Sequence, residues 1–337
     1  MTNIKKIGLS ALAGALAITS AHAGAVSMTG SMEVTYTKGS GAQDTGNPLG
    51  QENELAVIAS TELDNGVTVA YKQSITADNA RNDSELVFGN ILGGTLAMTS
   101  TGNPISAIDD VTPTAFEEAN AQVGSITDVN GSDGTFGIRY TLADVAGTGI
   151  KLDYMYFPVH GTGDATADQG MSGTSGKEGN KDAHDITLTG SVPGVEGLSL
   201  GVGYAKLNYD LGATGNPVNS QEEGTAYAKY AYGPLTVGYQ IGAVGKSGLS
   251  GNSFKNKYFG ISYAVSDDLS LSYNRLEARR TGGANTAGSV EQDFDSISLS
   301  YSMGGMTIGV ADADCGNCSW TSGRSQDETT VSLSVAF

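Results

Sequence analysis

From Val26 onward the chain alternates between apolar and polar positions. Val26, Met28, Met32, Val34 and Tyr36 are interleaved with Ser27, Thr29, Ser31, Glu33, Thr35 and Thr37, a period of two sustained for about a dozen residues. Successive side chains leave a strand on opposite sides, so this run predicts a β-strand with one apolar and one polar face. The same alternation returns at Val67, Val69 and Tyr71; at Ile150, Leu152, Tyr154 and Tyr156; at Ile186 and Leu188; and at Leu198, Leu200, Val202 and Tyr204. It continues through Leu235 to Ile241, Phe259 to Val265, Leu269 to Tyr273 and Ile297 to Met303, and the chain closes on Val331, Leu333, Val335 and Phe337. No segment holds a helical period. After the first two dozen residues no apolar run approaches the ~20 residues of a membrane-crossing helix.

The connections alternate in length. Short ones fall at 64–66, 90–94, 143–149, 193–197, 233–234, 266–268 and 304–305. Long ones, rich in Gly, Asp, Asn, Ser and Thr, fall near 39–50, 78–83, 100–134, 158–183, 210–222, 243–255, 277–290 and 311–326. Seven short turns and eight long loops predict sixteen strands with both termini on the short-turn side. An even antiparallel set can close on itself, and closure satisfies every backbone N–H and C=O where no water is present. The fold class expected is therefore all-β, a 16-stranded antiparallel transmembrane barrel wide enough to hold water. Tyr36, Tyr154, Tyr156, Tyr204 and Tyr273 cap the apolar stripes as an interfacial girdle does, and the opposite faces carry Thr, Ser and Gly rather than a second core. The competing all-β reading is a secreted adhesin or surface protein, whose strands also alternate.

Composition and charge refine this picture. Gly is 48 of 337 residues, about 14% against a usual ~7%, while Pro is only 7. The formal charge is −18 from 18 basic and 36 acidic residues, which argues against nucleic acid as a partner and, around a passage, for attraction of cations. Lys5 and Lys6, the apolar stretch Ile7 to Ile18 and Ala21-His22-Ala23 read as a cleavable secretory signal over 1–23, leaving 24–337 as the barrel domain. In such an exported chain Cys315 and Cys318 read as a local disulfide pinching a loop. A redox motif would need a helix start and a zinc site four ligands, and neither is apparent. Gly201 and Gly203 lack the third Gly of a dinucleotide fingerprint, and Gly245-Lys246-Ser247 lacks the first Gly of a phosphate loop, since Gln240 stands there. No cofactor or metal is expected. His160 and His184, at the edges of the fourth long loop, read as surface residues, and no enzyme is expected.

The cleavable leader, the sixteen alternating strands, one very long third loop and the terminal aromatic together resemble the general porins of Gram-negative outer membranes. The hairpin from Ile261 to Tyr273 is similar to a late hairpin of proteobacterial porins. The resemblance implies an outer-membrane channel for small hydrophilic solutes and ions, embedded in outer-membrane lipid. It further implies a homotrimer, a third loop folded into the lumen, and a terminal Phe337 read by the outer-membrane assembly machinery. A substrate-selective porin is the nearer alternative, but it would need an aromatic row or basic ladder along the lumen.

The third loop, Ser100 to Gly134, is too long for an ordinary hairpin. It carries six acidic residues and no Lys or Arg, with Ile105, Ile108, Val111 and Phe116 as apolar anchors. The residues alone leave open a solvated loop outside the barrel. The resemblance makes it the constriction, with Asp109, Asp110, Glu117 and Glu118 as its acidic side. Parity directs Lys72, Arg139 and Lys151 to the lumen as the basic side, with Lys229 similar, while Arg275 and Lys257 share the outward parity and belong at the rim or a subunit contact. Arg139 is also placed for a cross-strand pair with Asp153. Val26, Gly30 and Ala59 form a small-residue outer surface suited to a subunit contact. Four acids against three bases predict a weak cation preference.

Overall fold

The computed structural model describes residues 24–40, 46–76, 81–121, 123–124, 126–161, 180–209, 219–245, 251–282 and 290–337, and the leader assigned to 1–23 lies outside them. Sixteen antiparallel strands, each paired with its chain neighbours, form a closed barrel. They are β1 (Ala25–Ser40), β2 (Leu49–Glu62), β3 (Thr68–Thr76), β4 (Arg81–Ile91), β5 (Gly94–Thr99), β6 (Gly137–Leu142), β7 (Ile150–Phe157) and β8 (Asn180–Ser191), followed by β9 (Leu198–Tyr209), β10 (Gln221–Tyr232), β11 (Leu235–Val244), β12 (Asn252–Ala264), β13 (Leu269–Gly282), β14 (Val290–Met303), β15 (Met306–Gly316) and β16 (Ser325–Ala336). The seam joins β1 to β16 in register, Met32 opposite Val335 and Tyr36 opposite Val331. Phe337 completes it. Its N–H donates to the Gly30 carbonyl and its own carbonyl accepts from the Gly30 N–H, both at 2.9 Å. Closure leaves no sheet edge, the condition for strands in a medium that cannot hydrogen-bond.

The short turns use the residues that tight hairpins need. Gly304 and Gly305 sit at φ 58° and 87°, the left-handed values of a two-residue turn whose twist matches the flanking strands. At the other end the strands run further than apolar alternation alone suggests. The loop expected at 277–290 begins only after Gly282, and that expected at 311–326 shrinks to 317–324. The cause is chemical. Above the lipid band the outward positions turn charged, as at Glu277, Arg279, Asp312, Asp314 and Asp327, so the ladder continues after its hydrophobic signal has stopped.

Val34, Tyr36, Ile186, Leu200, Tyr204 and Leu333 face outward and are exposed. The inner face is mostly polar but not uniformly so. Two buried apolar clusters line it on one side, and both include residues of the segment between β5 and β6.

Candidate pore constriction

That segment, the third loop, lies inside the barrel against the inner wall. Ala119 and Val123 pack with Tyr258, Leu276, Phe294 and Cys315, while Ile105 and Val129 pack with Met155, Phe157, Leu207 and Val244. The wall also binds the loop's backbone. Gln240 donates through Nε2 to the carbonyls of Ile108 (2.8 Å) and Asp109 (2.6 Å), and its Oε1 accepts from the Val111 N–H at 2.8 Å. Asn274 donates to Pro113 O at 2.9 Å and Asn256 to Thr127 O at 3.0 Å. Ser272 and Ser298 accept from the amides of Ala115 and Phe116, and Glu223 accepts from those of Asn130 and Gly131. Each such bond contributes about 1 kcal/mol net, but the groups are buried, and leaving one unmade costs more than forming it gains. Sequence reasoning missed these anchors because a polar side chain of lumen parity looks the same whether it meets water or a loop.

Lumen-facing glycines clear the seat. A Cβ at Gly238 would lie 2.4 Å from Pro113 Cδ, one at Gly260 2.6 Å from Pro113 O, and one at Gly309 2.5 Å from the Phe116 ring. A glycine at an inward position inside a strand marks the close approach of another backbone, which was the available signal.

The loop thus covers the inner wall from the Met155–Phe157 end of β7 to β15. The remaining passage is bordered by its free edge, β16, β1–β6 and the Lys151 end of β7. Asp110, Glu117 and Glu118 are partly exposed on the loop. Asp109 is partly exposed as well; its carbonyl accepts from Gln240 and one of its carboxylate oxygens, Oδ1, is buried. The Glu117 carboxyl is pushed up to about 8, by burial first and then by the carboxylates of Glu118, Glu33, Glu52 and Asp110. Glu33 and Glu52 are directly opposed on the inner face of β1 and β2, so acid faces acid across this part of the lumen. Asp128, bonded by the Tyr258 hydroxyl, is pushed up to about 7, chiefly by burial.

The three basic residues do have lumen parity, but none stands alone. Lys72 Nζ lies 3.8 Å from Glu54. Arg139 grips Asp153 with Nε at 2.8 Å and with Nη2, and Lys151 Nζ reaches the same carboxylate at 3.1 Å. Asp153 sits diagonally from Arg139 rather than opposite it, since Arg139 pairs with Met155 and Thr141 with Asp153. Arg139 and Lys151 therefore share one counter-ion, and much of their field is cancelled locally.

Of the two histidines read as surface residues, one is buried and one is at the outer surface. His160 is not at the surface: its ring is 2% exposed, edge-on to Tyr209 and bonded to Asn208 O, and burial lowers its pKa. His184 faces outward between Tyr154 and Asp182. Cys315 and Cys318 are joined, and both sulfurs lie in the cluster beneath the third loop beside Val123. Because the bridge spans only three residues, its chain-entropy contribution is limited to about 2 kcal/mol. Replacing both cysteines by alanine should lower the thermal transition of the folded barrel by less than about 10 °C, read by heat-modifiable migration. Failure to fold would show instead that the bridge organises the mouth. Among the described residues no three His, Cys, Asp or Glu side chains converge as metal ligands.

A scan against protein-family models matches the Gram-negative porin family over residues 8–337. The chain belongs to that family, and it is an outer-membrane channel protein of a Gram-negative bacterium. Among solved structures it is similar to OmpF of Salmonella typhi in complex with daunomycin, with TM-score 0.67, 12% identity, and coverage of 93% of this chain and 97% of that one. It is also similar to the trimer form of OmpT, an outer-membrane protein of Vibrio cholerae, with TM-score 0.66, 9% identity and coverage of 94% and 100%. A third is the anion-selective porin of Comamonas acidovorans, with TM-score 0.61, 14% identity and coverage of 93% and 100%. At these identities the likeness is one of fold. A search of the curated proteins finds no match.

Proposed function

We propose that this porin is a general diffusion channel for small hydrophilic solutes with a weak preference for cations. The observation that carries the reading is the imbalance of charge across the passage. Asp110, Glu117 and Glu118 on the loop face an inner wall bearing Glu33 and Glu52, while Lys72, Arg139 and Lys151 are held in ion pairs with Glu54 and Asp153. In a confined passage of low dielectric such an excess concentrates cations. General diffusion is favoured over a substrate-selective channel because three of the inward aromatics, Phe157, Tyr258 and Phe294, are buried under the third loop and closed to a solute. We assign the chain no enzymatic activity. Single-channel recording in planar bilayers tests the channel itself, and folded protein that gives no conductance steps would overturn it.

The preference should depend on pH with a definite sign. Glu117 is raised above its ordinary range, so the stability its neutral form contributes is full below about 4.5 and fades as pH rises through about 8. Its charge in the folded protein appears around pH 8. Cation preference should therefore increase between pH 6 and pH 9, and Glu117→Gln should remove most of that increase, leaving the part due to Asp128. A flat profile in the wild type would place Glu117 in open water.

We further propose a homotrimer whose contact includes the outer surface at Val26, Gly30 and Ala59. Val26 and Ala59 are cross-strand neighbours, Val26 is 64% exposed, and a similar barrel is described as a trimer. Crosslinking in native membranes that traps only monomers would remove this reading. Phe337, exposed beside the seam, is assigned as the residue read by the assembly machinery, and its truncation should leave the protein unassembled in the periplasm.

A further inference from the structure

Cys318–Trp320 forms a short turn beyond β15 whose backbone is strained. Asn317, Ser319 and Trp320 stand at φ 55°, 54° and 58°, the left-handed region that is costly for any residue with a Cβ and an outlier for a bulky aromatic. The surroundings enforce it. The Cys315–Cys318 bridge closes the turn, Asn317 donates through Nδ2 to Glu291 O at 2.9 Å, and its Oδ1 accepts from the Gly323 N–H at 2.8 Å. Strain of this kind is kept where the side chain it aims has a task. Here that side chain is the only tryptophan of the chain. Trp320 packs against the apolar cluster under the third loop, with its ring 5.6 Å from that of Phe254 on β12. The Arg280 guanidinium of β13 lies over the indole, 5.3 Å from its centroid, and Arg280 stands opposite Phe254 in the ladder. All three side chains are partly exposed. Among the described residues no carboxylate pairs with Arg280, whereas Arg275 on the same strand has Glu277, Asp293 and Asp295.

Long loops of such barrels face outside. Phe254 and Arg280 have the inward parity of Tyr258 and Leu276, which pack against the third loop, and stand further along their strands toward the long loops. The group therefore lies at the outer mouth of the lumen. We propose that Arg280, Trp320 and Phe254 form an entry subsite for small aromatic carboxylates. A guanidinium laid over an indole keeps its in-plane N–H groups free, and these fit two carboxylate oxygens side by side. In a conjugated acid the ring shares the plane of its carboxylate, so the ion pair carries it onto the Phe254–Trp320 platform, where stacking adds to the attraction. A saturated acid lacks the flat face, an aromatic alcohol lacks the charge, and an aromatic ammonium ion is repelled by Arg280. Weak binding at the entrance raises the local concentration of such a solute while the channel stays passive. The subsite uses none of the charges at the constriction, so it does not depend on the ion preference there.

The test uses the full mature chain, folded in detergent, with Trp320 fluorescence as the readout, since no other tryptophan contributes. Benzoate should give a saturable change, binding about threefold or more tightly than cyclohexanecarboxylate and about tenfold or more tightly than benzyl alcohol or benzylammonium. R280Q should weaken benzoate binding about tenfold and F254L about threefold, while K255Q, which removes the outward lysine beside Phe254, should bind as wild type does. R280K keeps the charge without the planar fork and should fall between R280Q and wild type. Heat-modifiable migration establishes that each variant has folded, and F254L and R280K carry the test if R280Q does not fold. No saturable change, equal binding of benzoate and cyclohexanecarboxylate, or an R280Q variant that binds like wild type overturns the proposal and leaves Trp320 as a lid on the apolar cluster.

Discussion

Replacing Glu33, Glu52, Glu117 and Glu118 together by glutamine should bring the cation-to-anion permeability ratio, several-fold in favour of cations at low salt, close to unity. The expectation follows from geometry rather than from the net charge of the chain. Glu33 and Glu52 oppose one another on β1 and β2, and both raise the Glu117 carboxyl, so loop and wall charges act on one stretch of the passage. Their opponents are already committed: Arg139 and Lys151 to Asp153, and Lys72 to Glu54. Because Glu117 is largely neutral at pH 7, the wall pair should contribute more there than the loop pair. The variant E33Q/E52Q should therefore lower the ratio more than E117Q/E118Q at pH 7, with the order closing at pH 9. All these differences should fade as the Debye length falls from about 30 Å at 0.01 M to about 3 Å at 1 M. Reversal potentials under a salt gradient decide the matter. A wild type that prefers anions defeats the functional reading, whereas a cation-preferring wild type with an unaltered quadruple variant shows only that the determinant lies elsewhere.

The barrel was legible in the chain because period-two alternation and turn chemistry are local, and each strand carries its own record of inside and outside. Parity alone sent Lys72, Arg139 and Lys151 inward and Arg275 and Lys257 outward, where the structure has them. What parity cannot carry is partnership across the lumen. Gln240 was noticed only as a residue breaking a phosphate-loop pattern, yet it binds three backbone groups of the third loop. Gly203 stood out only in a failed dinucleotide pattern, yet a Cβ there would crowd Ile105 and Ile108. The four loop acids were weighed against three bases as if each acted alone, when Asp153 on β7 had already paired Arg139 and Lys151, and Glu54 on β2 had paired Lys72. The contacts of Gln240 with the third loop join residues 129 to 132 positions apart, and no local period encodes them.

The seating of the loop gives the other large effect. Gly260→Val should leave the barrel folded and change single-channel conductance by about twofold or more, because it moves the loop and not the wall. Pro113 is wedged between β11 and β12: a Cβ at 260 would meet Pro113 O at 2.6 Å and Pro113 N at 3.0 Å, and on the next strand Gly238 leaves no more room. Backbone atoms cannot swing aside as a side-chain tip can. To reach ordinary contact the segment must retreat into the passage by close to an ångström, losing the Asn274 bond to Pro113 O and straining those of Gln240. Overpacking of this kind costs about 1–3 kcal/mol, which a closed barrel tolerates and one loop segment does not. Gly224→Val is the control, since a Cβ there meets only Gly203 O at 3.6 Å, and it should conduct as the wild type does. If both variants conduct normally, the third loop does not limit the passage. If only Gly260→Val is altered, the glycines of lumen parity are what hold the constriction at its width.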